Sequence, residues 1–460
     1  MEQADNARRR WLIFAITAVG TFMATLDSSI VNVAMPSLAA ELAVGIDTAQ
    51  WVVTAYLLTI TALLLPLGRL GDMLGRRTLY ALGFLVFTAG SALCAAAGGI
   101  ASLVAARMVQ AAGAAMLMAG APAIITLTFP PSGRGRALGM TGAVVSLGSM
   151  TGPALGGVLV GMFGWEAVFT INLPIGLAGA LLAWLLLPPE PLRRCEPFDA
   201  AGAALFALAT TALLLAVSLG HRLGWLSLPV GGGLTLAGAL IWLFIRRQQT
   251  AGYPLLALSL FQNRLFTVGL LAGMLSFMAG FSNVFLLPFF LDLVLRLDPS
   301  TIGLLLTPFP LAMAIVAPVS GRLSEKGKPA LLTTAGLLVL TAGLWLQAGL
   351  TAEASVWRVA AGQAVLGVGN GLFQSPNNNS VMSAVPRDQV GVAGGINALV
   401  RNLGMVLGTA IAVTAYESVR QGADAEAAVV AGYRAALLLG SLFSLLAAGL
   451  SVRRGQRQTS

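Results

Sequence analysis

Apolar runs of about 20 residues or more recur along this chain with only short polar breaks, and each is long enough to cross ~30 Å of hydrocarbon as a helix. They lie near 11–33, 51–68, 78–97, 100–126, 137–160, 166–187, 200–218 and 227–245. Six more follow near 266–291, 302–320, 331–350, 357–378, 391–415 and 430–451. Only 10% of the 460 residues are charged, against about a quarter in a soluble domain. So few charges cannot wet the surface of a protein this size, and the apolar excess must face lipid. The alternating strands of about ten residues that build a membrane β-barrel are absent. An all-α membrane protein of about fourteen spans is therefore expected. The first run holds Asp27 and is too long for a signal peptide, so it is a retained helix.

The net charge of +9 does not point to nucleic acid. The basic residues sit in short clusters between spans, as membrane topology requires. With the N-terminus inside, twenty Lys and Arg fall on that side and five on the other, which predicts both termini in the cytoplasm. Arg107 and Arg401 are the two left inside spans. One histidine and two cysteines, Cys94 and Cys195, offer no metal cluster. There is no phosphate loop and no nucleophile–histidine–acid set, so neither ATP hydrolysis nor another enzymatic activity is expected, and no cofactor.

Two echoes suggest an internal repeat. Gly68-Arg69-Leu70-Gly71-Asp72 answers to Gly321-Arg322-Leu323-Ser324-Glu325, and Gly148-x-x-x-Gly152 to Gly404-x-x-x-Gly408. Both fall at corresponding places in two six-helix groups, 1–190 and 251–460, with a helix pair inserted at 191–250. Transporters are commonly built so, with the substrate site near the midplane between the halves.

Five patterns, in order and at the right spans, resemble the major facilitator superfamily, and within it the drug:proton antiporters with fourteen spans. They are Leu26-Asp27-Ser28-Ser29-Ile30-Val31-Asn32-Val33-Ala34-Met35-Pro36, Gly68-x-x-x-Asp72-x-x-Gly75-Arg76-Arg77, Arg107-x-x-Gln110-x-x-Gly113, Gly148-x-x-x-Gly152-Pro153-x-x-Gly156-Gly157 and Trp165-Glu166-Ala167-Val168-Phe169-x-Ile171-Asn172-Leu173-Pro174. Two departures stand out: Ala111 replaces a common Gly, and Glu166 a usual Arg. The resemblance implies the major facilitator fold, with the 68–77 loop latching the halves and the fifth-span glycines forming a tight, bendable contact. It also implies proton coupling through Asp27 and Arg107.

The residues support parts of this independently. Counted along their helices at 1.5 Å per residue, Asp27 and Arg107 come to similar depth, so they can face each other. A lone ionised group in a span is costly and should be paired or wet. Asn370, Gln374 and Asn377 share a helical face in the twelfth span, and Asn397 and Arg401 share one in the thirteenth. With Asn32 and Gln110 these are expected to line a polar substrate cavity. Phe281 and Phe285, within a stripe of Phe277, Phe281, Phe285 and Phe289, offer aromatic contact to it. The expected activity is export of amphipathic drugs or similar small molecules against inward proton flow, by a monomer in a bacterial-type inner membrane. The alternatives are a dedicated exporter of one metabolite or self-made antibiotic, and a non-transporting receptor or permease subunit.

Overall fold

The computed structural model describes residues 2–189, 198–252, 254–256, 258–326, 329–386, 390–420 and 426–455. Some side chains within these stretches, including those of Asp72, Pro153 and His221, lie outside the described set, as does the whole of Cys195. The described chain is helical from end to end. The first group comprises α1 (Glu2–Glu41), α2 (Ile46–Leu74), α3 (Arg76–Ala95), α4 (Ile100–Thr128), α5 (Pro131–Phe163), α6 (Ala167–Thr170) and α7 (Asn172–Leu186). An intervening pair, α8 (Ala200–Leu223) and α9 (Leu228–Thr250), precedes a second group. That group comprises α10 (Arg264–Leu293), α11 (Pro299–Leu306), α12 (Pro308–Lys326), α13 (Pro329–Ala348), α14 (Val356–Ser383), α15 (Val390–Arg420) and α16 (Glu426–Gly455).

Each sequence-predicted span has a helix, but the ends differ. Apolarity marks the stretch suited to lipid, whereas capping and proline set where the helix stops. Asn263 accepts from the amides of Leu265 and Phe266, and so starts α10 before its apolar run. Two predicted spans carry an interruption in the hydrogen-bond ladder, the sixth at Ile171 between α6 and α7 and the tenth at Thr307 before Pro308, which has no N–H to give; both residues nevertheless keep helical backbone. Among the described residues twelve helical spans are long and apolar enough to cross a membrane, so the chain is a multi-pass membrane protein. The two long helices left out are α5, rich in glycine, and α14, rich in amides. The polar run Asn377–Ser380 belongs to α14 itself, and Asn377 is buried there.

The two groups are built alike. In the first, α4 packs on α3 and α2, and α1 on α5. In the second, α14 packs on α13 and α12, and α10 on α15. Glycines set the closest approaches. A Cβ at Gly113 would strike the Phe87 backbone nitrogen, and one at Gly90 the Gln110 backbone. The α13–α14 contact repeats the pattern: a Cβ at Gly369 would strike Leu340 N and Gly336 O, and one at Gly343 Leu366. Gly83, Phe87 and Gly90 thus correspond to Gly336, Leu340 and Gly343, and Gln110 and Gly113 to Leu366 and Gly369.

The inserted pair touches both groups, because α8 lies on α2 and on α15. Leu64, Phe206, Phe244 and Leu399 form the shared apolar cluster. At its basic end the pair is clipped. Asp199 Oδ1 accepts from Gly202 N and Arg247 Nε, both at 3.0 Å, and its Oδ2 from Gln248 at 3.3 Å. Gln248 Oε1 in turn accepts the amides of Leu255 and Leu256, on the segment entering α10. Burial alone would raise the Asp199 carboxyl, but the Gly202 amide, Arg247 and Gln248 hold it below the usual carboxylate range.

Candidate functional site

Asp27 is fully enclosed where α1 passes α4, α2 and α7. Its Oδ2 accepts from Arg107 Nη1 at 2.5 Å. Its Oδ1 accepts from Gln110 Nε2 at 2.7 Å and from Asn172 Nδ2 at 3.1 Å. Arg107 is equally enclosed. It donates from Nε to Val52 O at 3.1 Å and from Nη1 to Gln110 Oε1 at 2.6 Å. Its guanidinium lies over the Tyr56 ring, 3.9 Å from the centroid. Gln110 also reaches Ser91 Oγ at 2.8 Å, and Cys94 Sγ donates to its Oε1 at 3.7 Å. α4 and α7 thus reach the carboxylate directly, and α2 and α3 hold the Arg107 and Gln110 side chains that do so.

Local structure explains the convergence. Arg107 and Gln110 are one helical turn apart on α4 and present together. Ile171 keeps helical backbone between α6 and α7, and Asn172, the next residue, donates to Asp27 Oδ1 across the α1–α7 contact. Among the described residues Arg107 Nη2 and Asn172 Oδ1 keep no hydrogen-bond partner. Three donors thus hold a carboxylate that has no exposure.

The opposite face of the same α1 segment carries the seam with α5. A Cβ at Gly148 would strike Thr25, one at Gly152 Ser29, and one at Gly156 Ile30. Farther along α5 the contact passes to the second group. Gly157 lies against Pro299 O and the Gly303 Cα of α11, and Gly161 against Ser300. The 68–77 segment is where α2 turns into α3. Gly75 adopts φ 87°, a conformation glycine takes without strain, and so allows the tight turn. Gly68 faces Ala119 of α4, Arg76 is half-buried, and Arg77 stacks over Trp184, 4.5 Å from the ring centroid. The Asp72 and Pro153 side chains, both expected in gating, lie outside the described residues.

The expected cavity residues divide. Gln110 holds Asp27 instead of facing open space. Asn32 is 2% exposed and donates to Ser28 O of its own helix. Phe285 is wholly buried against Phe289, so the stripe packs the second group's core, with Phe281 half-buried beside it. Asn370 and Gln374 are buried on α14, and Asn377 donates to Gly269 O of α10 at 3.0 Å. Asn397 donates to Asn378 Oδ1 at 3.3 Å, and Arg401 is half-buried on α15.

Sequence reasoning passed over a second cluster. Asn283 of α10 donates to Gln363 Oε1 of α14 at 3.0 Å and accepts from the Tyr433 hydroxyl of α16 at 2.9 Å. Tyr433 stacks on Phe290. Gln363 stands where the glycine correspondence places the counterpart of Arg107. Carrying the shift from Gly148 to Gly404 over to Arg107 would have found it.

Two packed helical groups joined by an inserted pair, with a buried ion pair in a bilayer-spanning bundle, define a polytopic membrane transporter rather than an enzyme. The chain belongs to the Major Facilitator Superfamily, which its residues 17–409 match. It is 38% identical to the riboflavin transporter RibZ of Clostridioides difficile over 88% of this chain and 87% of that one. It is 34% identical to the multidrug resistance protein Stp of Mycobacterium tuberculosis over 88% and 75%. A bacterial homologue of the human lysosomal transporter Spinster, solved facing inward and unoccupied, has the same fold, with a TM-score of 0.71 at 16% identity over 97% of each chain.

Proposed function

We propose that this protein is a proton-coupled exporter of amphipathic small molecules, a fourteen-span drug:proton antiporter working by alternating access. Residues 1–190 and 251–460 act as the two moving halves, with 191–250 as the insertion. The basic end faces the cytoplasm of a bacterial-type cell, and both termini lie there. The observation that carries this reading is the enclosed Asp27, with Arg107, Gln110 and Asn172 all donating to it.

The coupling runs through α1. On one face Asp27 gains or loses a proton. Protonation removes the charge that Arg107 pairs with and so loosens α4 from α1. On the other face, within one turn, Thr25 and Ser29 meet the α5 glycines. A shift of α1 therefore reaches α5, and through Gly157 and Gly161 the α11 seam that closes the end away from the basic loops. Substrate and proton need share no residue, since each only has to bind the two states differently.

The test is Asp27→Asn in proteoliposomes under an imposed pH gradient. The variant is expected to insert and purify normally but to lose gradient-driven accumulation of dyes. Proton-linked transport at the wild-type rate would refute the role. A second reading, transport of one metabolite, is favoured by the relative named for riboflavin. A compound panel in an efflux-deficient host separates the two: several unrelated substrates support multidrug export, and one supports the dedicated carrier.

A further inference from the structure

Arg401 is the second arginine inside a span, and the proton-coupling scheme leaves it unused. Gly394, Asn397, Arg401, Gly404 and Gly408 recur at three- and four-residue steps, so they share one face of α15. The neighbours of that face are known on both sides of Arg401. A Cβ at Gly394 would sit 3.6 Å from Pro122 of α4, in the first group. Asn397 bonds Asn378 of α14, and Gly404 and Gly408 abut the Met274 and Met278 carbonyls of α10. Arg401 therefore points into the seam where both groups meet, not into lipid.

What it meets there is uncharged. Among the described residues Arg401 has no hydrogen bond and no carboxylate partner, and no charged group acts on it. Asp27, the one fully buried carboxylate of the described spans, is already held by Arg107. α14 and α15 run antiparallel. With Asn378 level with Asn397, Gln374 falls level with Arg401 and Asn370 one turn beyond. Gln374 makes no hydrogen bond to another described residue, and Asn370 Oδ1 is buried without a donor. Apart from the Asn378–Asn397 bond, α14 packs mainly on α12 and α13, and α15 on α10, α16 and α2. The two polar faces therefore touch each other little, and neither is closed by the other.

A permanent cation on a span wall, with an amide and an orphan carbonyl oxygen beside it, asks for a ligand carrying the opposite charge and a donor. We propose that Arg401 is the anion-recognition point of the transport site. The site takes amphipathic molecules bearing a carboxylate, phenolate or similar acidic group next to a hydrogen-bond donor, and disfavours lipophilic cations. This rests on the exporter reading and narrows its substrate class. Repulsion of the wrong charge does as much here as attraction of the right one.

Three matched probes test it in proteoliposomes under a pH gradient: carboxyfluorescein, its uncharged ester and ethidium. The wild type is expected to move the anion best and the cation least. Arg401→Gln should cut anion transport about tenfold or more while the ester changes about twofold or less, and Arg401→Lys should recover part of the loss. Preferred transport of ethidium by the wild type overturns the inference, as does an equal loss for all three probes without rescue by Lys. Binding of carboxyfluorescein to the purified protein, read by quenching of its tryptophan fluorescence, keeps the two proposals apart. Arg401-dependent binding without transport of any probe supports the anion point and refutes export. Wild-type binding of the ester but not of the anion refutes the anion point alone.

Discussion

The two helical groups place a polar cluster at the same junction and fill it differently. In the first group the first, fourth and last spans meet through Asp27, Arg107 and Asn172, a charged set. In the second they meet through Asn283, Gln363 and Tyr433, a neutral set of similar geometry. Both are almost wholly buried. The neutral set shows that hydrogen bonds alone can tie these three spans together. The charge in the first group is therefore not needed to hold the helices. A buried ion pair is a poor source of stability in any case, because desolvation offsets most of its attraction. What charge adds is a group that can change state.

The largest effect expected from this contrast is Arg107→Ala. It leaves Asp27 enclosed beside two amides but no cation, at a cost of about 3–5 kcal/mol. Gln363→Ala leaves only a neutral amide short of a partner, at about 1–3 kcal/mol. Thermal unfolding in detergent should rank them in that order, and equal losses would erase the distinction. Next comes the double variant Asp27→Asn with Arg107→Gln, which gives the first group a neutral cluster like the second. It should regain most of the stability that Arg107→Ala loses, yet show no proton-driven transport. Recovery of coupling in that variant would place the proton elsewhere.

Tyr433→Phe deletes one neutral bond, is expected to cost about 1 kcal/mol, and should leave the pH profile of transport unchanged. Asp199 is the smallest and serves as a control outside both clusters. Its folded-state carboxyl is held below the usual range. Its stabilisation is thus present above the unfolded carboxylate range, and is lost as pH falls through the depressed folded value. Arg247 is 48% exposed, so the pair contributes about 1 kcal/mol or less. Melting of wild type and Asp199→Asn should differ slightly at neutral pH and converge in strong acid.

Much of this was legible in the chain. The apolar runs show the spans because a bilayer tolerates little else, and Asp27 and Arg107 stand out because charge there is costly. The ladder interruptions at Ile171 and Thr307 were not visible, since neither ends an apolar run and both residues keep helical backbone. Asn172 could be quoted within a motif, but its role depends on α7 packing against α1, which the motif does not state. Gln110 looked like a cavity residue because one amide on a helix does not reveal which neighbour it meets. Gln363 and Asn283 carry no charge, so nothing in the hydropathy marked them. The repeat still marked them: the shift that carries Gly148 to Gly404 carries Asp27 to Asn283 and Arg107 to Gln363.

The bonds from Gln248 to the Leu255 and Leu256 amides bear on chimera design. A cut at residue 250 severs them and strands two main-chain donors. The transplantable cassette therefore begins at Asp199 and runs through Leu256, several residues beyond where hydropathy would place the scissors.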